Sequence, residues 1–125
     1  MKEKTGCSNL AYVYKQENNF ASAYSYYVSS CNYGHAKACN DASMMIFNKK
    51  QGVPLDSKVA FTLALKGCEL GNKISCANVA YAYRIAYGVT KSVTQAQKFY
   101  KKACKLGHSA SCKNIVSNNQ VATIK

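Results

Sequence analysis

Seven cysteines are the residues of this sequence most able to carry chemistry, and six of them form three pairs with one spacing. In each pair, seven residues separate the two cysteines. Thiols in a repeated pattern form either disulfides or metal sites. The pairs are Cys31 with Cys39, Cys68 with Cys76, and Cys104 with Cys112. Because the spacing recurs unchanged, we expect the three pairs to share one structural role.

A metal site is the alternative to a disulfide at each pair. Zinc ligands usually come as two cysteines only two to four residues apart, with further cysteine or histidine nearby. The two histidines, His35 and His108, follow a glycine at the same repeat position. Stacked helices spaced at 8–10 Å would hold them roughly 20 Å apart, too far to share an ion. We therefore predict three disulfides, no metal site and no cofactor.

The elements that position the cysteines belong to an internal repeat that steps by 37 and then 36 residues. A glycine stands three residues after the first cysteine of each pair, and an alanine stands eight residues before that cysteine. A residue typical of a helix N-cap stands four residues before the alanine. The glycines are Gly34, Gly71 and Gly107; the alanines are Ala23, Ala60 and Ala96; the caps are Asn19, Asp56 and Ser92. Each repeat is therefore predicted to hold two helices.

The second helix of each repeat, helix B, runs from the N-cap to the first cysteine, as in Ser92–Leu106, with apolar residues at helical spacing. The glycine ends it, and helix A of the next repeat carries the second cysteine in its first turn, as in Ser75–Tyr87. This reversal can bring the two Cα atoms within the ~4.4–6.8 Å of a disulfide. Each bridge would contribute about 2.5 kcal/mol in the chain-entropy model.

The third repeat resembles a Sel1-like repeat. The resemblance lies in Cys76-Ala-Asn-Val-Ala-Tyr-Ala-Tyr, Gly88-Val89, Gln95-Ala96, and Tyr100-Lys-Lys-Ala-Cys104-Lys-Leu-Gly107. The paired cysteines are similar to those of the cysteine-rich Helicobacter-type members. The resemblance implies an all-α, right-handed α/α solenoid, related to tetratricopeptide repeats and cross-linked by disulfides. It also implies export, and either penicillin-binding or β-lactamase-like activity or interaction with host proteins.

The repeat register predicts a single repeat domain over residues 1–125. The repeats cover approximately 7–35, 36–71 and 72–107, followed by a capping helix over 108–119 and a polar tail over 120–125. The first repeat lacks the Gly-Val segment that marks the end of helix A in the other two, at Gly52 and Gly88. Its two helices must therefore turn tightly, around Asn18 and Asn19.

Cys7 occupies the place of the second cysteine of a pair, but the chain has no residue eight positions before it. We predict that Cys7 is unpaired and that the protein is a monomer unless Cys7 cross-links two chains. The segment Met1–Gly6 has no apolar stretch, so a signal peptide is expected to be absent from this chain. The disulfides still favour a periplasmic or secreted location. No apolar run is long enough to span a membrane.

Charge is distributed unevenly along the chain. The first 69 residues carry eight lysines and all five acids, a net charge of +3, whereas residues 70–125 carry nine basic residues and no acid. This asymmetry suggests an anionic partner, such as an acidic protein or peptide, lipopolysaccharide or a cell-wall polymer. The alternative is a solvated stripe on one amphipathic helix, formed by Lys98, Lys101, Lys102 and Lys105. No recognised nucleic-acid motif occurs, so no specific nucleic-acid partner is expected.

Tyrosines mark the candidate binding surface. Tyr12 and Tyr14 align with Tyr81 and Tyr83, five and seven residues after their cysteines, on different sides of helix A. We expect Tyr14 and Tyr83 to pack in the core. Tyr12, Tyr81 and Arg84 are the candidate surface residues, on the concave face with which such solenoids bind peptides.

The sequence contains few residues in patterns that indicate catalysis. The sequence has no Ser-x-x-Lys, Ser-Asp-Asn or Lys-Thr-Gly, the motifs of serine β-lactamases and penicillin-binding enzymes, so no catalytic residue is assigned. We predict a protein-binding scaffold outside the cytoplasm that recognises a peptide or protein on its concave face. The first alternative is the penicillin-binding or weak β-lactamase activity that the resemblance implies. The second is an immunity or chaperone-like partner of a secreted toxin.

Overall fold

The computed structural model describes the backbone of residues 4–115 and the side chains of residues 9–115. Seven α-helices, and no strand, occur within that range. They are α1 (Lys4–Gln16), α2 (Phe20–Asn32), α3 (Ala36–Phe47), α4 (Ser57–Glu69), α5 (Lys73–Ile85), α6 (Val93–Lys105) and α7 (Ser109–Cys112). Helices α1, α3 and α5 are the A helices, and α2, α4 and α6 are the B helices.

Each helix packs against the next one along the chain, and α3 also packs against α5. Contacts between consecutive helices, with one further contact between neighbouring A helices, are those of helix pairs stacked into a solenoid. The predicted all-α solenoid of disulfide-linked helix pairs is confirmed. None of the helices within residues 4–115 is long and apolar enough to cross a membrane.

The B helices begin at the predicted N-cap residues. The side chain of Asn19 accepts a hydrogen bond from the backbone N–H of Ser22 over 3.3 Å, and that of Asp56 accepts one from Lys58 over 3.0 Å. Ser92 caps α6 in the same way. Each cap satisfies a backbone donor that the first turn of a helix leaves free.

The A helices begin earlier than predicted. Helix α5 starts at Lys73, two residues before the predicted Ser75, because Asn72 acts as its N-cap. The Asn72 Oδ1 accepts from the Ser75 N–H over 2.8 Å. His35 and His108 take the same N-cap position in α3 and α7, without a side-chain cap bond. The repeat position considered for metal binding is therefore the start of helix A.

Glycines reverse the chain from helix B to helix A. Gly34, Gly71 and Gly107 have φ values of 96°, 98° and 103°, in the left-handed region that side chains disfavour. At the first of these turns, Gly34 N–H donates to Cys31 C=O and His35 N–H donates to Ser30 C=O. These bonds satisfy carbonyls at the helix end. The tight first turn between helices has Asn18 at φ 60°, as the missing Gly-Val segment predicts.

Three disulfides join the predicted pairs across these reversals. The Cα–Cα distances are 4.6 Å for Cys31–Cys39, 4.5 Å for Cys68–Cys76 and 4.9 Å for Cys104–Cys112. The first two bridges are fully buried, whereas Cys112 in the third is exposed. Each bridge therefore links the end of one helix pair to the start of the next.

The apolar core forms two clusters that meet along α4. Leu63 belongs to the cluster that α1–α4 enclose, and the adjacent Ala64 belongs to the cluster enclosed by α4–α6. The alanines of the repeat register, Ala23, Ala60 and Ala96, are all buried. Their small side chains allow the helices to approach closely.

At the C-terminal end, α7 is shorter than the predicted capping helix over 108–119. It ends at Cys112, and residues 113–115 are not helical. The remaining predicted helical residues, 116–119, and the predicted tail over 120–125 lie outside the described residues.

Candidate functional site

The paired tyrosines of the A helices have the two environments that their spacing predicts. Tyr14 and Tyr83 pack against the core clusters, and Tyr83 lies between Phe61 and Phe99, with ring centroids 5.3 and 5.9 Å away. Tyr12 and Tyr81 are 58% and 39% exposed. The exposed pair leaves aromatic surface available on α1 and α5.

Two of the three candidate surface residues lie together. The Arg84 guanidinium lies over the Tyr81 ring, 5.1 Å from its centroid, a cation–π contact that orients both side chains. The Tyr12 hydroxyl instead accepts a hydrogen bond from Gln16 over 3.1 Å. Tyr12 therefore contacts a side chain of its own helix, α1, and is separate from the Tyr81–Arg84 pair on α5.

An open pocket of about 210 Å³ lies between α3 and α5, with α4 along its floor. Its lining is predominantly apolar and includes several aromatic rings. The lining residues are Ser43, Met44, Phe47, Ala60, Phe61, Ala64, Asn78, Tyr81, Ala82 and Tyr87. Tyr81 is the one member of the predicted surface that lines this pocket.

Asn78 is the main polar residue of the pocket. Its amide nitrogen donates to Asn40 Oδ1 over 2.9 Å and contacts the Met44 sulfur at 3.3 Å, which fixes the amide orientation across the two A helices. The Ser43 hydroxyl donates to Ala60 C=O over 2.7 Å and so serves the packing of α3 on α4. No residue in the described range donates to Asn78 Oδ1.

Asn78 is not among the residues predicted from the sequence, although the repeat register contains a signal for it. The second residue after the cysteine of each A helix, and after Cys112 of α7, is an asparagine or an aspartate: Asn9, Asp41, Asn78 and Asn114. A polar residue that recurs at one repeat position indicates a helix surface that faces away from the core.

A second depression of about 420 Å³ adjoins the pocket. The two share Phe47 and Tyr87, whose rings meet edge to face with centroids 5.2 Å apart. Lys49 and the 69%-exposed Leu55 lie on the far side of this ring pair. The two cavities together form an apolar groove with a cationic end, which we call the α3–α5 groove.

No carboxylate lines the α3–α5 groove. Within the described residues, the single ion pair is Lys37–Asp41, over 3.1 Å on the surface of α3. Lys49 and Arg84 therefore have no carboxylate partner in that range. The predicted lysine stripe of α6 lies on its exposed side, where Lys98 contacts the edge of the core at the Phe99 ring, 5.6 Å from its centroid.

Two tyrosines of the B helices lie buried beneath the A helices. Burial raises the pKa of Tyr27, and the nearby Asp41 and Tyr12 raise it further. Burial also raises the pKa of Tyr100, and the Arg84 guanidinium partly offsets that rise. Both phenols therefore stay protonated at neutral pH and act as packing groups.

The histidines are engaged by serines in the folded chain. His35 Nδ1 lies 3.1 Å from the Ser30 hydroxyl, and His108 Nδ1 lies 2.7 Å from the Ser111 hydroxyl. Among residues 9–115, no three histidine, cysteine or acidic side chains are grouped as metal ligands. The surroundings of Cys7 lie outside the described side chains.

Comparison with known proteins identifies the fold. No family model and no curated protein matches the sequence. Two solved structures with 18% identity superpose with TM-scores of 0.83 and 0.84: c5321, a protective antigen of uropathogenic Escherichia coli with an SLR fold, and a Sel1 repeat protein of Oxalobacter formigenes. They cover 88% and 90% of this chain, which itself spans only 24% and 47% of theirs.

A third solved structure shares the abundance of cysteine. Cysteine-rich protein B of Helicobacter pylori is 26% identical to this chain, with a TM-score of 0.71. The match covers 74% of this chain and 69% of that protein. The structural neighbours are thus Sel1-repeat proteins, one of them of the cysteine-rich Helicobacter type. The chain has the fold of the Sel1-like repeat proteins.

Proposed function

We propose that this protein is a non-enzymatic binding scaffold outside the cytoplasm that holds an extended segment of a partner protein against its A helices. The observation that carries the proposal is the α3–α5 groove, an apolar surface with Tyr81 and Arg84 at its edge. Solenoids bind extended partners along the surface that stacked repeats create. Tyrosine and arginine are the residue types most enriched in binding hot spots.

The proposed location rests on the three disulfides. Bridges of this kind persist in oxidising compartments and are rare in the cytosol. The likeness to cysteine-rich protein B of Helicobacter pylori is compatible with that location. We propose a periplasmic or secreted protein whose disulfides form after export.

Substitution of Tyr81 tests the binding surface. Peptides that bind the oxidised protein are selected from a displayed library, and their Kd values are measured by fluorescence anisotropy. We expect Tyr81→Ala to weaken binding about 30-fold or more, the loss typical of a truncated hot-spot residue. Tyr33→Ala is the matched control, because Tyr33 is 54% exposed at the end of α2, outside the groove.

Two results would contradict the proposal. One is that Tyr81→Ala and Tyr33→Ala bind the selected peptides as tightly as the unaltered chain. The other is turnover of a chromogenic β-lactam by metal-free protein that is abolished by one substitution in the groove, since this would identify an enzyme.

A further inference from the structure

The middle repeat lacks a ring that the flanking repeats possess. Tyr27 and Tyr100 each stand four residues before the first cysteine of their pair, at Cys31 and Cys104. In the middle repeat that position is Ala64, four residues before Cys68. At this repeat position the B helices of the flanking repeats carry a tyrosine ring, and α4 carries none.

In the flanking repeats this ring fills the space beneath the A helices. Tyr27 is only 5% exposed and Tyr100 only 4%. Tyr27 belongs to the same core cluster as Ala11 of α1 and Ala42 of α3, and Tyr12 of α1 and Asp41 of α3 lie near enough to raise its pKa. Such a position buries an aromatic ring almost completely.

The residues equivalent to those neighbours line the pocket in the middle repeat. Tyr12 stands five residues after its cysteine, as Met44 does, and Asp41 stands two after its cysteine, as Asn78 does. Met44 and Asn78 both line the pocket, together with Ala64. The pocket therefore lies where the middle repeat would otherwise hold its own tyrosine ring.

The size of the pocket limits what it can hold. Small-molecule sites usually enclose about 300–1,000 Å³. At about 210 Å³, this pocket lies below that range and has a size that a single side chain fills. Its walls include the rings of Phe61 and Tyr81, which favour offset or edge-to-face contacts with another ring.

We propose that an aromatic side chain of the partner protein occupies this pocket and takes the place of the tyrosine that the middle repeat lacks. The inference rests on the proposed function, since it names the side chain by which the scaffold holds its partner. The fixed Asn78 amide leaves its oxygen to accept a hydrogen bond from the partner, from a backbone N–H or a phenol.

The cationic side chains along the groove define a second feature of the proposed partner. Lys49 lies in the adjoining depression, Arg84 lies beside Tyr81, and neither cavity has an acidic lining residue. A carboxylate close in sequence to the aromatic residue would complement this charge. The partner segment is thus an extended one with an aromatic anchor and an adjacent acidic residue.

Filling the pocket from within the chain is the first test. Ala64→Tyr restores the residue type of the flanking repeats at this position, so a folded variant is expected. It should weaken binding of peptides with an aromatic anchor about 10- to 100-fold, the value of burying one large side chain. Ala110→Tyr, which adds the same ring at an exposed residue of α7, should leave the affinity unchanged.

A spectroscopic measurement keeps the proposal testable if Ala64→Tyr fails to fold. The probe is 4-methylphenol, which reproduces a tyrosine side chain, added to protein labelled with ¹³C at the methionine methyl groups. The Met44 methyl signal should shift in a saturable manner, because Met44 lines the pocket. The signal of Met45, which is 4% exposed in the core, should not move.

The outcomes separate this inference from the proposed function. An unchanged Met44 signal, or Ala64→Tyr that folds and binds aromatic peptides as tightly as before, overturns the inference. Selected peptides that lack aromatic residues yet lose affinity with Tyr81→Ala leave the scaffold intact and overturn only the aromatic anchor. Binding that is indifferent to both Tyr81→Ala and Ala64→Tyr overturns both proposals.

Discussion

At the scale of single residues, the repeats differ in how they satisfy the serine before the second cysteine. The Ser111 hydroxyl lies 2.7 Å from His108 Nδ1. In the preceding repeat Asn72 replaces the histidine and caps the Ser75 N–H instead. The Ser75 hydroxyl is consequently buried without a hydrogen-bond partner in the described part of the chain. A buried polar group in that state reduces stability.

Replacement of Ser75 by alanine should therefore not lower the free energy of unfolding. We expect Ser75→Ala to raise the free energy of unfolding by up to about 1 kcal/mol, since it removes an unsatisfied hydroxyl. Ser111→Ala should lower it by about 1 kcal/mol, because it breaks the bond to His108. Chemical denaturation of both variants measures the difference. A clear loss of stability in Ser75→Ala would show that its hydroxyl has a partner after all.

At the scale of elements, the two classes of turn require glycine for different reasons. Gly71, between helices B and A, has φ 98° and open space where a side chain would begin. Gly88, between helices A and B, has φ 74°, and a Cβ there would overlap the backbone of Ser57. The loop after α5 therefore packs directly on the start of α4, one repeat earlier in the chain.

Alanine substitutions should separate these two effects. Gly71→Ala adds only left-handed strain, about 1–2 kcal/mol. Gly88→Ala adds the same strain and also forces the α5–α6 loop away from Ser57, so a loss of at least 3 kcal/mol is expected. Thermal unfolding of oxidised protein compares them. Equal losses would show that the loop moves without resistance.

At the scale of the whole molecule, the disulfides differ in exposure although their spacing is the same. Cys31–Cys39 and Cys68–Cys76 are fully buried beneath neighbouring helices. The third bridge joins α6 to the four-residue α7, and Cys112 remains exposed. A reductant must reach a sulfur atom to attack it, so burial protects the first two bridges.

Limited reduction should open the bridges in a defined order. Under native conditions a thiol reductant is expected to reduce Cys104–Cys112 first, and peptide mapping after alkylation would identify the released thiols. Once all three are reduced, the entropy model predicts a loss of about 2.5 kcal/mol for each closed loop. Simultaneous appearance of all six thiols would instead indicate global unfolding before any reduction.

Much of the fold follows from the sequence because the interactions that define it are local. The N-caps Asn19, Asp56 and Ser92 act on the first turn of their own helices. The disulfides join residues only eight apart, across a reversal that a glycine permits. Helical spacing also separates Tyr14 and Tyr83 from Tyr12 and Tyr81. Short-range physics of this kind is visible in residue types and their spacing.

The α3–α5 groove depended on tertiary structure. Comparison of the repeats shows that the middle repeat has Ala64 where the flanking repeats have Tyr27 and Tyr100. It does not show whether a neighbouring side chain fills the space that the missing ring leaves. Met44, Ala64 and Asn78 lie far apart in sequence and meet only when α3 and α5 pack over α4. The spacing of cysteines, glycines, alanines and N-cap residues therefore determined the repeat, its helix reversals and its disulfides. Packing between repeats decided which bridges are buried and left an open pocket beside Tyr81.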